Sequence, residues 1–158
     1  MTRLFAVLLL ISFAHSSLAA DPEVPYPEGY RAWHHVKSMV IEDGHPLFAA
    51  FGGIHHLYAN AKAVQGYRSG SFPDGAVIVF DLLEAHAADN AITEGARKVV
   101  GVMHKDAKAY PTTGGWGFEG FAGGAPSTRA VGSNAATACF ACHAPQQAQG
   151  YVFSTLRD

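Results

Sequence analysis

Cysteine is almost missing from this chain: 158 residues hold two, Cys139 and Cys142. That rules out a disulfide-stapled scaffold. A bridge between cysteines this close would shut only a tiny loop, with little entropic gain and a tendency to strain. Charge is scarce too. Asp, Glu, Lys and Arg make up 15% of the chain and the formal net charge is −2. No basic surface for nucleic acid or an acidic membrane is implied. No apolar run reaches the roughly 20 residues that a membrane-spanning helix needs. Internal repeats and linkers are absent as well. What is abundant is apolar residues, 49% of the chain, together with nine histidines. This is the composition of one globular domain with a real core.

The start, "MTRLFAVLLLISFAHSSLAADPE", reads as a leader. Arg3 supplies a short positive region, Leu4 to Ala14 an apolar stretch, and Ser17-Leu18-Ala19 a small-residue cleavage site. The expectation is a signal peptide over 1–20, cut after Ala19 or Ala20, and a single exported domain over 21–158. The mature protein is then periplasmic and free of the membrane.

Along that domain, "DPEVPYPEG" predicts an extended arm, and Val36–Glu42 a strand from its β-branched residues. "GGIHHLYAN" alternates as a strand, with Ile54, His56 and Tyr58 on one face and His55 and Leu57 on the other. Asn60 caps a short helix that stops near Gly70. "AVIVFDLLE" is the clearest strand, with Ala76, Ile78, Phe80 and Leu82 together on one face. Residues 85–95 are polar and read as a loop. "ARKVVGVMHKD" predicts a further strand. The glycines and alternate aromatics of "TTGGWGFEGFAGG" predict one closely approached by something flat. Ser133 or Asn134 is placed to cap a last helix, "AATACFACHAPQQAQ", and "YVFSTL" to follow as a short strand or extended tail. Strands and short helices in this order, without regular βαβ alternation, give an α+β fold with a mainly antiparallel sheet.

Both cysteines lie in "TACFACHAP", spaced C-x-x-C-H with His143. In an exported protein this spacing marks a c-type haem attachment site. Two thiols about one helical turn apart can each form a thioether with a haem vinyl group, and the next residue can offer an imidazole to iron. A zinc site would need about four ligands, and the second Cys or His pair is missing. A redox-active dithiol would sit near a βαβ pattern, not near the C-terminus, and a plain disulfide remains the simplest rival. One covalently held haem c is therefore expected, anchored by Cys139 and Cys142 and ligated by His143. A sixth ligand would make an electron carrier and an open position a gas-binding or catalytic site. Met39, Met103, His34, His35, His55, His56 and His104 are the candidates. A His doublet on a strand sends one ring to each face, so each doublet offers one inward histidine.

Beyond the haem motif, "YRAWHHV", "GSFPDGAVIVFDLLE", "HKDAKAY", "GGWGFEGF" and "ACFACH" followed by "YVFS" occur in an order that resembles the cytochrome P-460 family, which includes cytochrome c′-beta. The resemblance covers residues 30–155. It implies a mainly antiparallel sheet, a homodimer, and a haem near the C-terminus with five-coordinate reduced iron. Members called cytochrome P-460 carry a lysine cross-linked to the haem and oxidise hydroxylamine. The c′-beta branch lacks that link and binds nitric oxide or carbon monoxide in an apolar distal pocket. Where the lysine is expected this chain has Phe80, and where a distal carboxylate is expected it has Gly101. The resemblance therefore points to the c′-beta-like branch, with Phe80 and Phe51 lining the distal side and His55 or His56 as a polar contact. A haem oxidoreductase acting on hydroxylamine or nitrogen oxides, and a six-coordinate electron carrier with a periplasmic partner, are the alternatives.

Overall fold

The structure is a computed structural model that describes residues 22–157; the expected leader lies outside them. Five strands form one antiparallel sheet in the order β1-β2-β3-β4-β5. They are β1 (His34–Ile41), β2 (Gly53–Ala59), β3 (Val77–Ala88), β4 (Ala91–Lys105) and β5 (Trp116–Ala122). Each strand pairs with its neighbour in sequence, so short connections suffice. Helix α1 (Phe48–Phe51) lies between β1 and β2, and α2 (Ala61–Ser69) between β2 and β3. The architecture is α+β with a mainly antiparallel sheet, as the sequence predicts. Among the described residues, no helix is long and apolar enough to cross a membrane.

Asn60 starts α2 for a chemical reason: its side-chain oxygen accepts from the Ala63 N–H at 2.8 Å. The same oxygen accepts from Val77 N–H at 3.1 Å, while its amide donates to Gly75 O at 2.9 Å. One side chain thus ties the helix start to the turn that launches β3. Gly70, at φ 75°, ends the helix in the left-handed region.

The predicted loop over 85–95 is not a loop. Strand β3 continues to Ala88 and β4 begins at Ala91, joined by Asp89 and Asn90 at φ 51° and 59°. Two successive left-handed residues make the tight hairpin turn whose twist matches the strands, and Asp and Asn tolerate it well. Polarity misled the reading: this hairpin runs beyond β1 and β2, so its side chains face solvent while its backbone stays paired. The last helix also departs from expectation. Neither Ser133 nor Asn134 caps it; both lie in a 3-10 turn, Gly132–Asn134. A π-helical turn follows over Ala136–Phe140 without a side-chain cap, then α3 (Ala141–His143) and a 3-10 run, Ala144–Gln149. The final segment is an extended tail.

The two faces of the sheet are filled differently. Val79, Val100, Val102, Tyr110 and Phe121 pack one face under the N-terminal arm through Val24 and Tyr30. Asp81 is buried there. It accepts from the Tyr30 hydroxyl at 2.7 Å and from Arg97 Nε and Nη2 at 2.6 and 3.2 Å. Burial and the Asp81 carboxylate push the Tyr30 phenol well above its ordinary range. On the other face Ile78, Trp116 and Phe118 pack with Phe72, Val152 and the partly buried Cys139 and Phe140. That face carries the C-terminal segment.

Candidate functional site

His143 ends α3, and its ring lies between two aromatics. Phe118 of β5 is 5.1 Å away by ring centroids, and Phe153 stands edge-on at 4.9 Å. Its Nδ1 is 2.7 Å from the Tyr151 carbonyl oxygen. A carbonyl can only accept, so Nδ1 carries the proton and Nε2 keeps its lone pair. This is the arrangement a metal-ligating imidazole uses, with the outer hydrogen bond fixing tautomer and orientation. The carbonyl is aimed by an unusual turn: Gly150 and Tyr151 are both left-handed, at φ 66° and 68°. Trp116 Nε1 donates to Gly150 O at 2.9 Å and holds the turn down.

Cys139 and Cys142 are free thiols in the structure, one turn apart just ahead of His143. Burial, then the nearby charges of Glu119 and Cys142, push the Cys139 thiol up to about 11. A thiol so raised is a poor redox nucleophile, which counts against a thioredoxin-like role. The π-helical turn containing Cys139 is rare geometry that tends to occur at functional sites.

Across the same face lies an aromatic group. Phe80 of β3 has the His55 ring at 4.5 Å and the Phe51 ring edge-on at 5.6 Å. Strand register explains the meeting: His55 pairs with Leu82, one step along the face from Phe80, which pairs with Leu57. His55 is buried and its Nδ1 has no hydrogen-bond partner. Burial, then the neighbouring His56, lowers its pKa to about 4, so the ring is neutral at ordinary pH. His56 points to the other face and is bonded to Ser38 and Glu94. Of the two adjacent imidazoles only His55 can therefore contact Phe80.

Beside Phe80 the sheet carries no side chain: Phe80 pairs with Gly101, and Gly101 with Gly120, which is itself buried against Val99, Ala130 and Val131. A Cβ built on Gly101 would meet only ordinary contacts, from 3.4 Å to Phe80. The chain's own packing does not require glycine there; the missing side chain leaves room for a flat group. The chain also leaves Met39, Phe51 and Phe153 at 49, 39 and 61% exposure. A porphyrin fits this set of features: a broad apolar face, a smooth floor, two thiols and one oriented imidazole at the rim.

The remaining sixth-ligand candidates separate by face. Met39 pairs with His55 and shares its face, whereas Met103 pairs with Phe118 and packs into the core beside the C-terminal segment. His104 pairs with Val77 and stands 6.4 Å from Tyr110, on the sealed face. His35 bonds to Ser38, and His34 is exposed at the start of β1. A groove of about 420 Å³ elsewhere, lined by Ile41, Phe48, Gly53, Glu84, Ile92 and Lys98 among others, includes none of Cys139, Cys142 and His143. The thiols and the oriented imidazole lie away from it, on the face that carries Phe80 and Phe118.

Sequence reasoning missed Glu119. This buried carboxylate accepts from the N–H groups of Gly120 and Val131 at 2.8 and 2.9 Å and from Arg129 at 3.1 Å. It also receives the Gly132 N–H at 3.3 Å. Burial alone would raise its pKa, but these donors together lower it. Glu119 thereby fixes the backbone that leads into the cysteine segment. Its only trace in the sequence is an acid inside an otherwise apolar strand.

The family model described as Cytochrome P460 matches residues 27–154. No curated protein gives a significant match. The matched span contains the whole sheet, the aromatic group at Phe80 and the C-x-x-C-H segment. The chain belongs to the cytochrome P460 family and is a haem-binding protein of that family.

Proposed function

We propose that the protein is an exported, periplasmic c-type haem protein whose open distal side binds small neutral diatomic gases such as nitric oxide. One haem is held by thioethers to Cys139 and Cys142, with His143 Nε2 as the iron ligand. The observation that carries the gas-binding reading is the Phe80–Phe51–His55 group. Two phenyl rings supply no ligand and no hydrogen bond. They disfavour water and anions, which lose hydration on entry, but cost a neutral diatomic little. His55, neutral and short of a partner at Nδ1, is the one polar group beside them.

Hydroxylamine oxidation has weaker support. It needs a distal base, and Gly101 stands where a carboxylate would; it also needs the ring cross-link, and Phe80 stands where the lysine would. Electron transfer with a six-coordinate iron draws on one observation, the exposed Met39 opposite His55. Absorption spectra of the reduced protein with and without carbon monoxide separate the three. The gas-binding reading expects a high-spin reduced spectrum that sharpens and shifts on adding carbon monoxide. A low-spin spectrum indifferent to the gas would overturn it in favour of Met39 or another sixth ligand. A green protein with a far-red Soret band would point to a cross-linked ring.

A further inference from the structure

On the sheet face away from the haem site, four side chains from three strands meet. His56 Nε2 lies 2.7 Å from Glu94 Oε1. An ionised carboxylate only accepts, so Nε2 carries the proton and Nδ1 keeps its lone pair. That Nδ1 lies 2.6 Å from Ser38 Oγ, and His35 Nε2 lies 2.9 Å from the same oxygen. Two imidazole nitrogens thus converge on one hydroxyl, with ring centroids 5.9 Å apart. The strands enforce this. Ser38 and His56 are directly paired, and the irregularity between His35 and Lys37 turns His35 onto the same side. Glu94 arrives from the overhanging β3–β4 hairpin.

We propose that His35, His56 and Ser38 form a binding site for a divalent transition cation such as Zn(II), with Glu94 behind His56. A carboxylate on the outer nitrogen of a histidine is the usual support of an imidazole that ligates metal. It fixes the tautomer and raises ligand basicity. Imidazole nitrogens suit Zn(II), Cu(II) and Ni(II) among divalent ions. Zinc–nitrogen bonds are about 2.0–2.1 Å, shorter than the 2.6 and 2.9 Å that now separate the two nitrogens from Ser38 Oγ, so both rings must turn and the hydroxyl give way for the cation to enter. Among the described residues no three His, Cys, Asp or Glu side chains are placed to ligate one ion together, and here Glu94 stands behind His56 on its far nitrogen. The sphere here is therefore two imidazoles and a hydroxyl, completed by water, which makes an exchangeable site and not a structural one. His35 Nδ1 lies 3.5 Å from Arg157 Nη2. Loading a cation on Nε2 moves the His35 proton to Nδ1 and breaks that long contact, so Arg157 opposes binding.

The test is calorimetric titration of the haem-loaded protein with zinc chloride. One site is expected. His35→Ala and His56→Ala should each weaken it at least about tenfold, and Glu94→Gln about tenfold. Arg157→Gln should tighten it. His34→Ala is the control, because His34 belongs to the same doublet but pairs with Ala59 on the other face; it should leave affinity within about twofold. Four of the five side chains are exposed and His56 is partly buried, so an unchanged haem spectrum is required to report that each variant is folded. Equal loss from His34→Ala and His35→Ala would reduce the site to a generic histidine surface and overturn the proposal. So would an unaltered titration with His56→Ala.

Discussion

The two faces of one sheet obey opposite rules. On the face beneath the N-terminal arm the chain does most of its own closing: Tyr30 and Phe121 are almost wholly buried and Asp81 has three donor contacts from Tyr30 and Arg97, although His104 Nδ1 is left buried without a partner. On the other face the chain stops short. Gly101 offers no side chain beside Phe80, His55 keeps an unpartnered nitrogen, and Phe153 stands exposed beside His143. The first face is packed by the N-terminal arm; the second combines a buried core around Trp116 and Phe118 with a half-open stretch around Phe80 and His55.

The sharpest way to break this contrast is Asp81→Ala. Removing the carboxylate leaves Arg97 and the Tyr30 hydroxyl in a buried setting without their shared partner. Loss of one partner of a buried ion pair costs about 3–5 kcal/mol. Denaturant unfolding should show that loss while the carbon monoxide spectrum of the remaining folded protein stays unchanged. A changed spectrum would mean that the faces are coupled.

Glu119 links the faces, since it sits in the sheet yet holds the loop leading to Cys139. Glu119→Gln should cost about 2 kcal/mol at neutral pH through its charge-assisted hydrogen bonds. The sign of the pH dependence follows from its depressed pKa. Its stabilisation is complete above the ordinary value of 4.5 and drains away as pH falls through the lower folded value. Unfolding curves of the two proteins should therefore converge in acid, and a constant gap down to the lowest pH would refute this account.

Phe80→Ala addresses the open face alone. It should strengthen cyanide binding to the ferric protein by about tenfold, or about 1.4 kcal/mol, because water can then follow the anion in. Melting should change far less than with Asp81→Ala, as Phe80 is only half-buried. An unchanged cyanide affinity would remove Phe80 from the distal wall. The smallest effect belongs to Trp116→Phe. It deletes the hydrogen bond to Gly150 O and should cost about 1 kcal/mol while shifting the iron–histidine stretching band in Raman spectra. Lost stability with an unmoved band would show that the turn holds His143 without help from Trp116.

The same contrast marks what could be read from the sequence. Strand alternation placed Phe80 with Ile78 and Leu82 and separated His55 from His56, because period-two patterning is a local property. The C-x-x-C-H spacing carried its chemistry in three letters. The hairpin over 85–95 was hidden, since a paired backbone with solvated side chains has the composition of a loop. Glu119 and the Tyr151 carbonyl were hidden for another reason. Their partners lie eight or more residues away or on the main chain, and no side-chain pattern records where a carbonyl points. Asp81 likewise draws on Tyr30, 51 positions earlier.

The order of the strands has a consequence for biogenesis. A meander whose strands pair only with their sequence neighbours can close strand by strand as the chain emerges, with no need to wait for distant partners. His143, the carbonyl that orients it and Phe153 all lie within the last stretch of chain, after the sheet is complete. A haem held by the residues proposed above would therefore dock on strands that need nothing from the C-terminal segment to find their partners.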